Sequence, residues 1–187
     1  MFILPYLVHE KSANKELAKE YLDLSKPLVF GSSNDSLKAI WFIRASSYHR
    51  VLDDIDSAQF FFAKEAYQLS KQIGNKSTIA TSAFLHSIFI QNDSLKLEVK
   101  RESLQMFLAI KDFRLGTAQC LSIYGYYLKK QNKEKAVEYL TKAQEIGKKT
   151  SSIDIKVNLF YALKENSAAE GDFVQAYKYA DSLDIVR

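Results

Sequence analysis

The stretch that decides the fold is KQNKEKAVEYLTKAQEIGKK, residues 130–149. The apolar residues of its middle part are spaced four, three and three positions apart: Ala136, Leu140, Ala143 and Ile146. This is the spacing of one face of an α-helix. Asn132 precedes them, and a short polar side chain in that place accepts hydrogen bonds from the free N–H groups of the first helical turn. The stretch therefore predicts an amphipathic helix of about four turns.

The same arrangement recurs along the chain with a period of about forty residues. Counted from Ala136, the equivalent positions fall at Ala176, Leu97, Ala58 and Ala18. Each lies in a segment that opens with Asn or Asp and continues with helical spacing. These segments, here called second helices, cover residues 14–24, 54–69, 92–104, 132–146 and 171–183. A fixed period of this length is typical of a helical repeat protein.

The intervening segments are also predicted to be helical, and they are apolar around more of their circumference. These first helices cover residues 37–52, 77–90, 116–130 and 153–170. A helix that is apolar on several sides lies between neighbouring helices. With two prolines and six glycines, the chain has too few turn-forming residues for a fold of many short strands. The predicted fold class is all-α, an α-solenoid of antiparallel helix pairs forming a single domain over residues 1–187.

The pattern resembles the tetratricopeptide repeat, in a version closer to forty residues than to that family's usual thirty-four. Over 117–146 the residues at its aromatic, small, bulky and small positions are Tyr127, Ala136, Leu140 and Ala143. Over 157–183 the matching residues are Leu163, Gly171, Asp172, Phe173 and Ala176, with Ser167 where an aromatic is usual. The match is softer over 39–66, where Ala58 and Ala66 stand eight apart. It is degenerate over 78–104, where Leu97 and Leu104 take the small positions.

The resemblance implies a right-handed superhelix with about four full repeats and a partial one at the N-terminus. Forty-residue repeats are similar to those in the sensor regions of bacterial histidine kinases, in transcription factors and in peptide-responsive regulators. The implied function is therefore a non-enzymatic scaffold that binds a protein or peptide segment in a bacterial signalling protein. Because the repeat pattern begins partway through a repeat, the chain is also expected to be a fragment of a longer protein.

In this family the first helices line a concave groove, and a ligand is expected there. The resemblance projects these groove residues onto the sequence: Arg44, Ser47, Arg50, Ser82, His86, Ser122, Lys129, Asn158, Tyr161 and Glu165. Guanidinium groups such as that of Arg44 bind carboxylates, the Asn158 amide can bond a peptide main chain, and the Tyr161 ring can pack on an apolar side chain.

Catalytic, cofactor and metal sites are not expected. The three histidines, His9, His49 and His86, are separated by close to the repeat period, which places them on equivalent helices rather than at one point. Cys120 lies within an apolar helix and is expected to be a buried thiol. No glycine-rich phosphate-binding motif is present. We therefore predict that the protein is not an enzyme and binds no cofactor.

Composition limits the remaining alternatives. No run approaches eighteen apolar residues, so no membrane span is expected. The net charge of +4 is modest, and the lysines of residues 128–149 are interpreted as a solvated helix face, so nucleic-acid binding is not expected here. An alternative function is a dimerisation or spacer region of a transcription regulator or sensor kinase with no ligand in the groove, and dimerisation would make the protein a homodimer. A single cysteine fits a cytoplasmic protein, although a disulfide-free periplasmic sensor region would have the same composition.

Overall fold

The computed structural model describes residues 15–51 and 57–186, with side chains described over 16–49 and 60–183. Within these ranges the chain forms nine α-helices and no strand. The helices are α1 Lys15–Phe30, α2 Asp35–Val51, α3 Ser57–Ile73, α4 Lys76–Phe89, α5 Asp93–Ala109, α6 Phe113–Lys129, α7 Lys133–Gly147, α8 Ile153–Ala169 and α9 Phe173–Val186. The all-α prediction is confirmed, and the helices lie within a few residues of the predicted segments. The main exception is α1, predicted to end at residue 24, which continues through Pro27 to Phe30.

Consecutive helices pack as pairs, as in an α-solenoid of helical repeats. The chain divides into two compact units, Met1–Ser103 and Leu104–Arg187, and the boundary falls inside α5. In the first unit α2 packs against α1, α3 and α4, and α3 also packs against α4. In the second unit α7 packs against α6 and α8, and α8 also packs against α6 and α9. The single domain predicted for residues 1–187 remains a prediction.

The α6–α7 turn and the α8–α9 turn share one backbone geometry. Gln131 and Gly171 both adopt left-handed conformations, with φ of 55° and 80°. The N–H of Gln131 bonds the Leu128 carbonyl (2.9 Å), and the N–H of Asn132 bonds the Tyr127 carbonyl (3.0 Å). The equivalent bonds at Gly171 and Asp172 measure 3.1 and 2.9 Å. This pair of bonds is the Schellman motif, which satisfies the last carbonyls of a helix.

The residue after each left-handed position begins the next helix as predicted. The side-chain oxygen of Asn132 accepts from the Lys135 N–H (3.1 Å), and that of Asp172 accepts from the Gln175 N–H (3.0 Å). Asn92 makes the same bond to the Leu95 N–H (3.0 Å). Because these three N-caps stand forty residues apart, they fix the repeat register of α5, α7 and α9.

This register shifts the two small positions of α5 by one residue, from the predicted Leu97 and Leu104 to Lys96 and Ser103. Forty residues before Ala143 lies Ser103, which is fully buried and donates its hydroxyl to the Ala80 carbonyl of α4 (2.8 Å). The small residue at the α4–α5 crossing is therefore Ser103, one position before the predicted one. Serine can replace alanine there because its buried hydroxyl has a hydrogen-bond partner.

The other small positions agree with the prediction where their side chains are described. Ala66, Ala136 and Ala143 are fully buried, and Ala176 is buried. Ala18 is half-buried, and the side chain of Ala58 lies outside the described residues. Because no bulky side chain separates the backbones at these positions, the paired helices can approach closely.

An aromatic cluster forms part of the core of the first unit. The Trp41 ring of α2 packs edge-on against Phe30 of α1 (5.2 Å between centroids) and Phe62 of α3 (5.6 Å). The indole N–H of Trp41 donates to the Leu22 carbonyl (3.2 Å). These contacts hold the first three helices together, because edge-to-face aromatic pairs and a bonded indole both stabilise a core.

Candidate functional site

The predicted groove residues of the first unit lie in varied surroundings. Arg44 and Ser47 are half-buried on α2, and the Arg50 side chain lies outside the described residues. Ser82 is fully buried, and its hydroxyl donates to the Thr78 carbonyl of its own helix (2.6 Å). A ligand in a groove would not reach the Ser82 hydroxyl, so this residue contributes to helix packing instead.

His86 is packed between aromatic rings. Its imidazole stacks on Tyr67 (5.3 Å, 22° between planes) and lies 6.2 Å from the Phe60 ring. Burial lowers the pKa of His86, and the charge of Lys64 lowers it further. Nδ1 is buried without a hydrogen-bond partner. The neutral imidazole therefore fills space between α3 and α4, and most of it is covered by neighbouring side chains.

Sequence reasoning missed a polar contact that joins α3 to α5. The Tyr67 hydroxyl donates to one oxygen of the Glu102 carboxylate, and Lys71 Nζ lies 2.6 Å from the other. Burial raises the pKa of Tyr67, and the bond to Glu102 adds to the shift. The phenol therefore remains a donor across the physiological pH range. Three residues from two repeats share this contact, so no single helix segment could have indicated it.

The predicted residues of the second unit that lie on α8 form a continuous exposed stripe. Asn158, Tyr161 and Glu165 are spaced three and four residues apart, which places them on one face of the helix. All three are exposed, and Tyr161 retains 55% of its accessible surface. We call these three residues the α8 stripe. On α6, Ser122 is half-buried and Lys129 is exposed.

Lys164 flanks the α8 stripe. Its Nζ lies 4.9 Å from the centre of the Tyr161 ring and 3.1 Å from a carboxylate oxygen of Glu165. A cation over a ring face holds that ring in place, although exposed pairs of this kind are weak. The stripe therefore presents an amide, a partly ordered aromatic ring and a carboxylate along one line.

Glu165 of the stripe also lines a cavity of about 250 Å³ in the second unit. Residues of α6, α7 and the end of α8 line this α6–α8 pocket: Tyr124, Leu128, Lys133, Val137, Glu165, Asn166, Ala169 and Glu170. Glu165 alone among these was predicted from the sequence. Leu128 and Val137 are apolar, yet they retain 44% and 39% of their accessible surface.

Tyr124 is the buried residue of the pocket lining. Burial raises the pKa of its phenol, and the nearby Glu165 carboxylate raises it further. The hydroxyl therefore stays protonated at neutral pH and can act as a hydrogen-bond donor. The pocket combines an apolar wall, a neutral phenol and two carboxylates.

The remaining candidates for chemistry have structural roles or fall outside the described chain. Cys120 is fully buried as predicted, and burial raises the pKa of its thiol to about 12. Over the described ranges, no three His, Cys, Asp or Glu side chains are grouped so that they could hold a metal ion. His9 lies outside the described residues. No helix in the described part of the chain is both long and apolar enough to cross a membrane.

Three lysines of residues 128–149 lie partly against aromatic rings. Lys135 is 5.6 Å from the Tyr127 ring centre, Lys142 is 6.0 Å from Tyr139, and Lys149 is 5.3 Å from Phe113. Lysine stems commonly cover apolar surface while the ammonium group remains in water. This arrangement agrees with the interpretation of residues 128–149 as a solvated face.

Comparison with known proteins shows similarity at the level of the fold. The structure is similar to the crystal structure of BtubC (BKLC) from P. vanneervenii, with a TM-score of 0.77 and 14% sequence identity. The match covers 97% of this chain and 76% of that one. No family model matches the sequence, and no curated protein matches it. The likeness therefore supports the helical-repeat architecture and carries no information on the ligand.

Proposed function

We propose that the chain is a non-enzymatic repeat scaffold that binds a protein or peptide segment. The observation that carries this proposal is the α8 stripe, where Asn158, Tyr161 and Glu165 lie exposed on one helix face. An exposed tyrosine flanked by hydrogen-bonding groups is typical of binding surfaces, because its ring offers a large contact area at a small entropic cost. The adjoining pocket extends this surface.

The acid–base side chains of the first unit support a binding function over catalysis. His86 is enclosed by aromatic rings, and Glu102 is engaged by Tyr67 and Lys71. These groups stabilise helix packing and do not converge on an open cleft. In keeping with the resemblance to tetratricopeptide repeats, we place the protein among bacterial regulatory or signalling proteins.

The proposal can be tested by selecting random phage-displayed peptides against the whole chain. Enriched peptides would then be synthesised, and their affinity measured by fluorescence anisotropy. We expect Tyr161→Ala to weaken binding about tenfold or more. Tyr177→Ala is the matched control, since Tyr177 is 73% exposed on α9 of the same unit. Its affinity should stay within about twofold of the wild type.

Two results would contradict the proposal. One is a failure to enrich any peptide over a selection against an unrelated helical protein. The other is an equal loss of affinity in the Tyr161 and Tyr177 variants while circular dichroism shows both to be folded.

A second candidate function is self-association, which is favoured by exposed apolar side chains on α1 and α9. Leu24 and Leu28 are one turn apart on α1, and Leu28 is 77% exposed. Phe173 and Val174 are similarly exposed at the start of α9. Exposed apolar patches commonly mark interfaces. Light scattering over a range of concentrations should then show dimers that the Leu24→Glu, Leu28→Glu double variant abolishes, whereas a monomer at all concentrations would exclude this function.

A further inference from the structure

The α6–α8 pocket suggests what kind of segment the scaffold binds. Its volume of about 250 Å³ lies below the range of about 300–1,000 Å³ typical of sites for drug-sized molecules. A space of this size fits one large side chain better than a whole cofactor or metabolite. Leu128, Val137 and Ala169 supply apolar contacts that are exposed in the free protein, and an apolar side chain would cover them.

The polar groups of the lining indicate what should flank that side chain. The Glu170 carboxylate makes no ion pair within the described part of the chain. Glu165 shares its charge with Lys164 at 3.1 Å, and Lys133 is the one cationic residue among those that line the pocket. Because Glu165 is paired with Lys164, the Glu170 carboxylate is the group that would attract a basic residue beside the bound side chain.

Asn166 provides a third kind of contact. Its side chain is half-buried in the lining, between the carboxylates of Glu165 and Glu170 in sequence. A primary amide both donates and accepts, and can therefore bond the N–H and C=O of a peptide main chain. This group would hold the backbone of a bound segment beside the apolar pocket.

We propose that the α6–α8 pocket accepts a bulky apolar side chain, such as Leu or Phe, from a protein segment with Lys or Arg next to it. This inference rests on the proposed function, because it assumes that a protein segment is the ligand. It adds the side-chain class and the charge of that segment.

Short synthetic peptides with a labelled terminus provide the test. Their central residue would be Leu, Phe or Ala, and its neighbours Lys, Gln or Glu, with affinity for the whole chain read by fluorescence anisotropy. We expect the Leu and Phe peptides with Lys neighbours to bind best. Replacing the central residue by Ala should cost about tenfold or more, and replacing Lys by Glu should reduce binding further.

Two matched pairs of variants localise the effect. Ala169→Met fills the pocket and should reduce binding about tenfold, whereas Ala168→Met adds the same group to the neighbouring exposed residue and should not. Glu170→Gln should reduce the preference for Lys over Gln about two- to fivefold. Glu138→Gln removes an exposed carboxylate of α7 that does not line the pocket, and should leave that preference unchanged.

The outcomes separate this inference from the proposed function. Peptides that depend on Tyr161 but are insensitive to Ala169→Met would overturn the pocket assignment and leave the scaffold function intact. A preference for Glu neighbours, mediated by Lys133, would overturn the charge assignment. If no peptide of this set bound at millimolar concentration while phage-selected peptides did, the side-chain class would be wrong. If neither set bound, the scaffold function would fail as well.

Discussion

Gly147 ends α7 at a place where an added side chain would force Leu159 to shift. A methyl group on its Cα would lie 2.5 Å from Cδ2 of Leu159 on α8 and 3.5 Å from Cγ2 of Thr117 on α6. Leu159 and Thr117 are both buried, so neither can easily move away. Gly147→Ala therefore tests whether α6, α7 and α8 are in contact at this point.

The size of the effect follows from two opposing terms. Alanine in a helix is favoured over glycine by up to about 1 kcal/mol. Overpacking of a core costs about 1–3 kcal/mol. A distance of 2.5 Å between the new methyl group and Leu159 Cδ2 is too short, so the Leu159 side chain must shift. We expect Gly147→Ala to lower the free energy of unfolding by about 1–2 kcal/mol.

Gly125 supplies a control within the same unit. It lies in the interior of α6, and a methyl group on its Cα would meet nothing within 4 Å. Gly125→Ala should therefore raise the free energy of unfolding by about 0.5–1 kcal/mol through helix propensity alone. The same chemical change thus has opposite signs at the two glycines.

Urea unfolding followed by far-ultraviolet circular dichroism measures both effects, provided that the dependence on urea concentration is unchanged. Leu159→Ala removes the clashing group. In that background Gly147→Ala should become neutral or stabilising, which gives a coupling energy between the two residues. If Gly147→Ala is as stable as the wild type, or costs the same with and without the Leu159 side chain, Gly147 and Leu159 are not in close contact.

Three further predictions concern single contacts. Gln131→Gly should raise the free energy of unfolding in urea by about 0.5–1 kcal/mol, because an L-residue is strained in the left-handed conformation at φ 55°. Gly171→Ala, which has open space around its Cα, should lower the free energy of unfolding by a similar amount. If both variants were as stable as the wild type, the strain at these two turns would be refuted. Ser103→Ala should destabilise by about 1 kcal/mol by removing the bond to Ala80, and a neutral result would mean that the bond contributes nothing. Because burial lowers the pKa of His86 from its ordinary 6.5, the unfolded chain takes up this proton first, so stability should fall as the pH drops below about 6.5. His86→Phe should weaken that dependence between about pH 8 and pH 5, and an unchanged pH profile would contradict the assignment.

The sequence was sufficient for the parts of the fold that depend on local patterns. Ala136 and Ala143 stand seven residues, or about two helical turns, apart, and Asn132 precedes them, so both the buried face and the start of α7 could be predicted. The register of α5 could not be fixed in the same way, because Ser103 is polar and Leu104 beside it is apolar. An error of one residue turns a helix face by about 100°.

The site was less predictable, because exposure depends on contacts between helices. Ser82 is a polar residue in a predicted groove position, yet its own helix backbone satisfies its hydroxyl and the residue is fully buried. Leu128 and Val137 have the opposite property, because both are apolar and yet both are exposed and line the pocket. The stripe of Asn158, Tyr161 and Glu165 was predictable, because all three lie on one helix.

The identical turns at Asn132 and Asp172 have a consequence for engineering the chain. Both follow a left-handed residue, both cap a helix with the same bond, and they stand forty residues apart. Residues 133–172 therefore follow a capped turn and end in one of the same geometry. A second copy of residues 133–172 inserted after Asp172 would have this same turn and N-cap at both of its junctions. Such an insertion would lengthen the array by one helix pair and duplicate the α8 stripe, which would turn a single binding surface into a bivalent one.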